Sequence, residues 1–498
     1  KSGDFIDEMA SVGYTNLSVD ELVRLKQAGV TAEYVRNLRS LGFTDLAVRE
    51  LASMAIHGVT PAYIQAVRNA GYNNLSPREL SNFRIHDITP EFIKSLRGAG
   101  YEALWAGGCV RDLLLELSPM DYDVATSARP DQVRELFGAR RTLPVGAAFG
   151  VIIVLGPHAA AGQVEVATFR NDATYSDGRR PDSVVFSTAI EDARRRDFTI
   201  NGMFYDPIAA KVIDHVGGRQ DLERGLIRAI GDADARIAED KLRMLRAVRF
   251  AARFGFAIEA ATQAALARHA PELRIVSGER MASEMHKTLI TSGRESAVRS
   301  WAESGLLDVL LPQLAEQWSS RGEHACALVR AVHPDNWIAP LAALLSPVLS
   351  EAIPSRTAQA TCSDLKARLK LSNDDVARLR FALESQSALQ SAGDSPWSVV
   401  QPLLIDRHIA TAIDLFAARV ACGETDKQHL EWLQERLAWP ASQLDPPPLV
   451  GGNDLQHLGF LPGPRFKELL AEVRAAQLDR RMKDRGEALE WLHAQLPK

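Results

Sequence analysis

A glycine followed by an aromatic residue recurs every 29 residues through the first hundred positions: Gly13-Tyr14, Gly42-Phe43, Gly71-Tyr72 and Gly100-Tyr101. A period of that length confines the fold, because one such unit cannot bury both faces of its helices and must stack on its neighbours. Each unit reads as two short amphipathic helices. The first starts near Ser18, Ala47 or Ser76, where Ser18 with Glu21 and Ser76 with Glu79 have capping-box spacing. The second starts at the N-cap residues Thr31, Thr60 and Thr89, followed in two cases by Pro61 or Pro90 at the first helical position. Apolar positions stay in register: Leu17, Leu46 and Leu75; Leu22, Leu51 and Leu80; Tyr34, Tyr63 and Phe92; Leu38, Val67 and Leu96. Residues 1–99 are therefore expected to form three helical repeats, with aromatics that belong to the core on their helical spacing. Such an array suits a protein partner or an RNA-facing platform, and the pattern does not choose between them.

At 498 residues the chain exceeds a single core, and its 46% hydrophobic and 24% charged residues are those of an ordinary globular protein. No stretch approaches the roughly 20 uninterrupted apolar residues of a membrane helix, so no membrane partner is expected. Cys109, Cys326, Cys362 and Cys422 lie far apart with no CxxC pair, which argues against a disulfide framework or a zinc site and fits a reducing cytoplasm. The first residue is Lys1 and not Met, which leaves room for sequence upstream, a targeting segment included. The net charge of -5 excludes a globally basic nucleic-acid binder, so any RNA contact must be local. Arginine density is local: Arg179-Arg180, Arg194-Arg195-Arg196, and the series Arg243, Arg246, Arg249 and Arg253.

From about Tyr101 the texture changes to short apolar runs mixed with helical stretches, an α+β segment, and after about Ile227 the pattern is helical almost throughout. The expected division is residues 1–99 repeats, 100–227 catalytic head, 228–290 neck, 291–440 helical body and 441–498 helical, RNA-binding tail.

Asp121-Tyr122-Asp123-Val124-Ala125-Thr126 reads as a strand, where residues two apart share a face, so the carboxylates of Asp121 and Asp123 converge. Hard divalent cations such as Mg²⁺ take oxygen ligands from one or two carboxylates together with substrate phosphates. Such a pair can seat the two ions of an in-line phosphoryl displacement. Alone, Asp-x-Asp is more often a solvated strand end. Its surroundings change that. Gly107-Gly108 opens an apparent helix and can present backbone N–H groups to phosphate. Glu165, alternating with apolar neighbours over residues 164–169, is either an exposed strand residue or a third carboxylate of the same site.

Four blocks in order, Gly107-Gly108-Cys109-Val110-Arg111-Asp112, Asp121-Tyr122-Asp123, Arg195-Arg196-Asp197-Phe198-Thr199-Ile200-Asn201 and Glu239-Asp240-Lys241-Leu242-Arg243-Met244-Leu245-Arg246-Ala247, resemble the class II tRNA nucleotidyltransferase family. That family includes CCA-adding and A-adding enzymes and bacterial poly(A) polymerases. The resemblance implies a nucleotidyltransferase head with helical neck, body and tail, CTP and ATP as substrates, the tRNA 3′ end as partner, and two Mg²⁺ ions as cofactors. It makes Asp121 and Asp123 the metal-binding pair and Glu165 the third catalytic carboxylate. Gly107, Gly108 and Arg111 fall in its nucleotide-binding block, Asp197 would meet the ribose hydroxyl, and Arg196 and Asn201 the ribose and triphosphate. Glu239, Asp240 and Arg243 match its amino-acid template for the incoming base, and Arg246 and Arg249 would contact phosphate. Residues 172–181, with Asp177, Arg179 and Arg180, match the flexible loop required for adding A. Asp214, Gly217, Gly218 and Asp221 match its hinge-like third motif. Three departures stand out: Glu116 replaces a usual glycine, Met120 a usual lysine and His215 a usual proline.

The template has a physical rationale. Cytosine and adenine both carry an exocyclic amine beside a ring-nitrogen acceptor, so an aspartate can accept from the one while an arginine donates to the other. Uracil and guanine would leave buried polar groups unpaired at about 1–3 kcal/mol each. Poly(A) polymerase activity on other RNAs is the alternative within the family, and a non-catalytic RNA-binding scaffold is the alternative outside it. A metal phosphohydrolase of the His-Asp type is disfavoured, since the adjacent pair His86-Asp87 lies in the repeats and not in the helical part.

Overall fold

The computed structural model describes all residues except 1–2, 16, 18, 57, 70–74, 78, 82–89, 118, 120–121, 156–162, 173–183, 334–335, 350–354 and 497–498. The chain divides into two compact units, Lys1–Arg243 with Phe256–Ala265, and Met244–Gly255 with Leu266–Lys498.

The first unit opens with the repeats. Helices Val19–Gln27 and Ala32–Ser40 form one pair and Val48–Ile56 and Pro61–Asn69 the next. Thr31 and Thr60 cap as expected, each hydroxyl accepting from the backbone N–H three residues on at 3.1 Å. Ser76 and Glu79 close a reciprocal capping box. Ser18 and Thr89 lie outside the described residues. The helix Gly3–Ala10 adds half a unit to the three expected: its Ile6 and Met9 stand 29 residues before Val35 and Leu38. Successive units are tied by side chains to main chain. The Tyr14 hydroxyl donates to Leu46 O (2.7 Å) and Tyr34 to Val59 O (2.8 Å), and burial pushes the Tyr34 phenol up to about 12.

Among its described residues the first unit holds eleven strands: β1 Ala103–Ala106, β2 Asp123–Thr126, β3 Thr142–Gly146, β4 Val151–Leu155, β5 Gln163–Thr168, β6 Arg170–Asp172, β7 Val184–Phe186, β8 Phe204–Asp206, β9 Lys211–Ile213, β10 Leu226–Ile227 and β11 Ala257–Ile258. Seven of them form one mixed sheet in the order β3-β4-β5-β2-β1-β8-β9, in which β2 and β5 run parallel and the other pairs antiparallel. The α+β expectation is met. β1 is central and all four of its residues are buried, which is why Ala-Leu-Trp-Ala has no polar alternation. Trp105 packs edge-on against Tyr122 and stacks on Tyr205. On one side of the sheet Leu104, Ala106, Ala125, Phe169, Ala193 and Phe204 make a dry cluster. Past Ile227 the chain is not purely helical, since β10 and β11 pair in parallel.

The second unit is helical. A buried Arg294 donates to the carbonyls of Val329, Arg330 and Val332, satisfying main-chain groups at the end of the helix Trp318–Ala331. The tail helices Gly452–His457, Pro464–Leu478 and Arg485–His493 enclose a small core of Val450, Leu455, Leu469, Val473, Ala488 and Leu492. Among the described residues no helix is long and apolar enough to cross a membrane.

Candidate active site

Strand register assembles the site. Asp123 opens β2 opposite Ala106, the last residue of β1, and Ala106 is also opposite Phe204 of β8. The chain leaves Ala106 into Gly107-Gly108 and enters β8 just after the turn Thr199–Asn201, so Asp123, the glycine loop and that turn converge at one end of the central strands. On the other side of β2, Val124 pairs with Val166 of β5. One residue earlier on each parallel strand stand Asp123, half-buried, and Glu165, exposed, on the face opposite those valines. The buried Tyr122 ring turns away to Trp105, as alternation requires. Asp121 lies outside the described residues. Among the described residues no cluster of three metal-ligating side chains occurs. The donor chemistry nonetheless suits a hard cation, since Asp123 and Glu165 offer oxygen alone.

Behind the loop runs a chain of buried side chains. Arg111, 4% exposed, donates to Asp112 Oδ1 (Nε, 2.7 Å) and to Asn201 Oδ1 (Nη1, 2.6 Å), and Asn201 Nδ2 donates to Asp197 Oδ1 (3.0 Å). Arg111 and Asn201 thus lock the glycine-loop helix to the Asp197 turn. Gly107 adopts φ 75°, its N–H is donated to Met203 O (3.2 Å), and a Cβ there would stand 2.7 Å from Arg196 Nη1. Glycine is required at 107 by the turn and by this close approach.

Asp192 was not legible as a site residue. Only 1% exposed, it accepts from Arg195 (Nε 2.9 Å, Nη2 2.7 Å) and from Arg196 (Nε 3.3 Å, Nη2 3.0 Å). Burial pushes its carboxyl up, but the guanidinium groups of Arg196 and Arg195 outweigh burial and hold it below the usual carboxylate range. The signal was present: an acid three and four residues ahead of two arginines, at helical spacing. Asp192 aims Arg196 past Phe204 and against Gly107.

The third motif is structural. Asp214 accepts from the N–H groups of Val216, Gly218 and Arg219 and so caps the helix Gly218–Glu223, while Asp221 accepts from the Thr199 hydroxyl (2.7 Å) and pairs with Arg228 (3.0 Å). A Cβ on Gly218 would stand 2.1 Å from Thr199 O.

Glu239, Asp240 and Arg243 come together where one helix ends and the next begins. Arg243 Nη1 donates to Glu239 Oε2 (2.7 Å) and Arg236 O (2.6 Å), and its Nη2 to Arg195 O (3.3 Å), which joins the template to the Arg195–Asn201 block. Asp240 accepts from Leu242 N–H (3.0 Å). Arg249 sits elsewhere than the phosphate expectation suggests: 8% exposed, its Nε donates to the buried Glu284 (2.6 Å). Arg246 is half-buried over Phe250. Asp177, Arg179 and Arg180 lie outside the described residues, between the paired strands β6 and β7.

The backbone at Glu116 shows why glycine is usual there. Its φ is 56°, and the bonds Glu116 N–H to Leu113 O (3.0 Å) and Leu117 N–H to Asp112 O (2.8 Å) form the helix-ending motif in which the left-handed position favours glycine.

Residues 103–228 match the family model described as "Poly A polymerase head domain", and residues 255–317 that described as "Probable RNA and SrmB- binding site of polymerase A". The chain is 34% identical over 397 residues to a CCA-adding enzyme of Geobacillus thermodenitrificans, a match that covers 78% of this chain and 92% of that protein. It is 43% identical over 215 residues to the CCA-adding enzyme of Geobacillus stearothermophilus, covering 43% of this chain and 52% of that one. A crystal structure of the Bacillus stearothermophilus CCA-adding enzyme in complex with CTP superposes with a TM-score of 0.65 at 30% identity, over 83% of this chain and 97% of that one. Matched over most of its length by a relative of this identity, and with the head and RNA-binding regions in sequence order, the chain belongs to the family of the CCA-adding enzymes.

Proposed function

We propose that the chain adds CMP and AMP from CTP and ATP, without a nucleic-acid template, to the 3′-hydroxyl of tRNA and so builds its CCA end. The observation that carries this reading is the convergence of Asp123, Glu165, the Gly107-Gly108 loop and the Asp197–Asn201 turn at one end of β1, β2 and β5. The names of the relatives support the product, and the CTP complex of the Bacillus stearothermophilus enzyme supports the nucleotide.

In the reaction the terminal ribose oxygen forms a bond to the α-phosphorus, the bond from that phosphorus to the bridging oxygen breaks, and pyrophosphate leaves. Asp121 and Asp123, with Glu165, would hold Mg²⁺, two ions in number, which supply charge neutralisation and lower the pKa of the attacking hydroxyl. Arg196, held by Asp192, contacts the triphosphate at the glycine loop. Asp197 accepts from the ribose hydroxyl, fixed in place by Asn201. Asp240 accepts from the base amine, while Arg243, oriented by Glu239 and the Arg236 carbonyl, donates to the ring nitrogen. Arg246 contacts phosphate, and the loop with Asp177, Arg179 and Arg180 serves the addition of A. The four unpaired cysteines suit work in a reducing cytoplasm. A protein partner for the repeats is supported by the balanced charge of residues 1–99, eleven Lys and Arg against eleven Asp and Glu, which gives no net attraction for phosphate.

The test supplies purified protein with tRNA lacking CCA, tRNA ending in CC, and an unrelated oligoribonucleotide, each with CTP or ATP. Ordered addition of C, C and A to tRNA is expected. Long ATP-derived tails on any RNA would overturn it in favour of poly(A) polymerase, and absence of MgATP and MgCTP binding by calorimetry would overturn the enzyme itself.

A further inference from the structure

We propose that a tryptophan-lined cleft in the second unit receives an unpaired nucleobase of the bound RNA. This inference rests on the RNA acceptor argued above. The cleft, about 630 Å³, lies between the start of the helix Trp397–Leu404, the end of the helix Lys427–Leu437 and the turn after Pro464–Leu478. Its volume falls within the ~300–1,000 Å³ of small-ligand sites.

Three indoles meet there. The Trp397 ring centroid is 6.4 Å from that of Trp432 and 5.2 Å from that of Trp439, with planes tilted by 66° and 51°. Unlike Trp105 and Trp301, which are fully buried, these three keep part of their surface open. They are not stacked on one another. Instead the Arg436 guanidinium lies 3.9 Å from the Trp432 centroid and 5.5 Å from that of Trp439, held by Glu435 (2.8 Å). The cleft therefore already contains one planar cation–π layer at stacking distance, and a base adds as the next layer.

Charge selects a nucleobase over an apolar peptide. Arg480 lines the cleft with an exposed guanidinium that makes no hydrogen bond or ion pair with any described residue, on a backbone held at φ 58°. A phosphate joined to the stacked base would meet it there. The carboxylate on the rim, Asp479, is held to the wall by the Ser398 N–H (2.8 Å) and hydroxyl (2.9 Å), and its charge is offset by Arg481 (3.3 Å). Gln443, exposed at the edge, offers both a donor and an acceptor to the rim of a base.

The experiment measures binding of the full chain to an unmodified tRNA transcript lacking CCA, alongside CMP addition to the same transcript. Trp432→Ala and Trp439→Ala should each raise Kd by roughly 5- to 150-fold, the loss expected for one base–aromatic stack. The Phe variants should bind within about fivefold of the unsubstituted chain, and Arg480→Glu should weaken binding and flatten its salt dependence by about one phosphate contact. Alanine variants that melt earlier but bind tRNA normally would overturn the inference alone, and equal losses in the Phe variants would do the same. A parent chain that neither adds CMP nor binds tRNA would overturn this inference and the proposed function together.

Discussion

Replacing Asp192 by Asn tests how the site is held in shape. The carboxylate is 1% exposed and takes four guanidinium hydrogen bonds from Arg195 and Arg196, whose side chains are themselves only 17% and 18% exposed. Removing one partner of a buried ion pair costs about 3–5 kcal/mol, and because Asn keeps one accepting oxygen the expected loss is at the lower end, about 3 kcal/mol. Native-state hydrogen exchange at the amides of residues 196–201 reads that loss locally, without requiring the whole chain to unfold in one step. The pH dependence carries the sign. The folded carboxyl lies below its ordinary value, so its stabilisation is complete above the ordinary carboxylate range and is lost as pH falls through the depressed folded value. Asn does not titrate. The gap between parent and variant should therefore be flat from pH 8 to about 5 and close only below the usual carboxylate range. In turnover, release of Arg196 from its fixed place against Gly107 should lower kcat/KM for the nucleotide by at least about tenfold, the worth of one charged hydrogen bond, with tRNA affinity unchanged. Wild-type exchange protection in the variant, or a gap that persists unchanged to pH 3, would refute the reasoning.

Glu116→Gly should stabilise the chain by about 0.5–1 kcal/mol, since glycine relieves the left-handed strain that exceeds its own entropic cost; an unchanged or lower melting temperature would show that the Glu116 side chain contributes more than the strain. Asp123→Asn should abolish CMP and AMP addition while leaving the melting temperature within a degree or two, and retained turnover would place the metal elsewhere. Arg249→Met should destabilise by about 3 kcal/mol, the lower end for a broken buried pair, because Glu284 is left buried with only the longer contact to Lys287 (3.7 Å), and adding Glu284→Leu should recover most of it. If Arg249 instead serves chiefly to bind phosphate, the single variant will weaken tRNA or nucleotide binding without that loss of stability.

What the sequence disclosed depended on whether a residue's role is local. The caps at Thr31, Thr60 and Ser76 could be read because N-caps act over three residues, whereas Glu165 stayed open between an exposed strand residue and a third carboxylate until the β2–β5 register set it beside Asp123. The mixed sheet order could not be read, because one neighbour of β1, the strand β8, lies about a hundred residues away, and four buried apolar residues carry no sign of which neighbours they will have. Arginine was the least legible residue type. Arg111, Arg246 and Arg249 look alike in sequence, yet the first bridges Asp112 to Asn201, the second lies over Phe250 and the third is sealed against Glu284. A guanidinium with five donors satisfies buried acceptors as readily as phosphate, and the partner that decides the matter is remote in sequence.

The same limit governs the junction between repeats and head. Gly100-Tyr101 with Leu104 continues the 29-residue register of Gly13, Gly42 and Gly71 with Leu17, Leu46 and Leu75, so the register taken alone would start another helix there, and only the short apolar runs from about Tyr101 mark the change. Instead Leu104 lies in β1, because that strand pairs on both edges and buries every side chain. The arginine of this register changes partner at the junction. Arg68 donates to Leu41 O (2.6 Å), and Arg97, one period later, donates to Ala103 O (3.0 Å) and pairs with Asp206 of β8 (2.9 Å). The head thus holds, in the forward direction, an arginine whose equivalent one period earlier reaches back to the preceding repeat. That fixes the last repeat to the strands that carry the glycine loop, where a flexible linker would have left the two free to move apart.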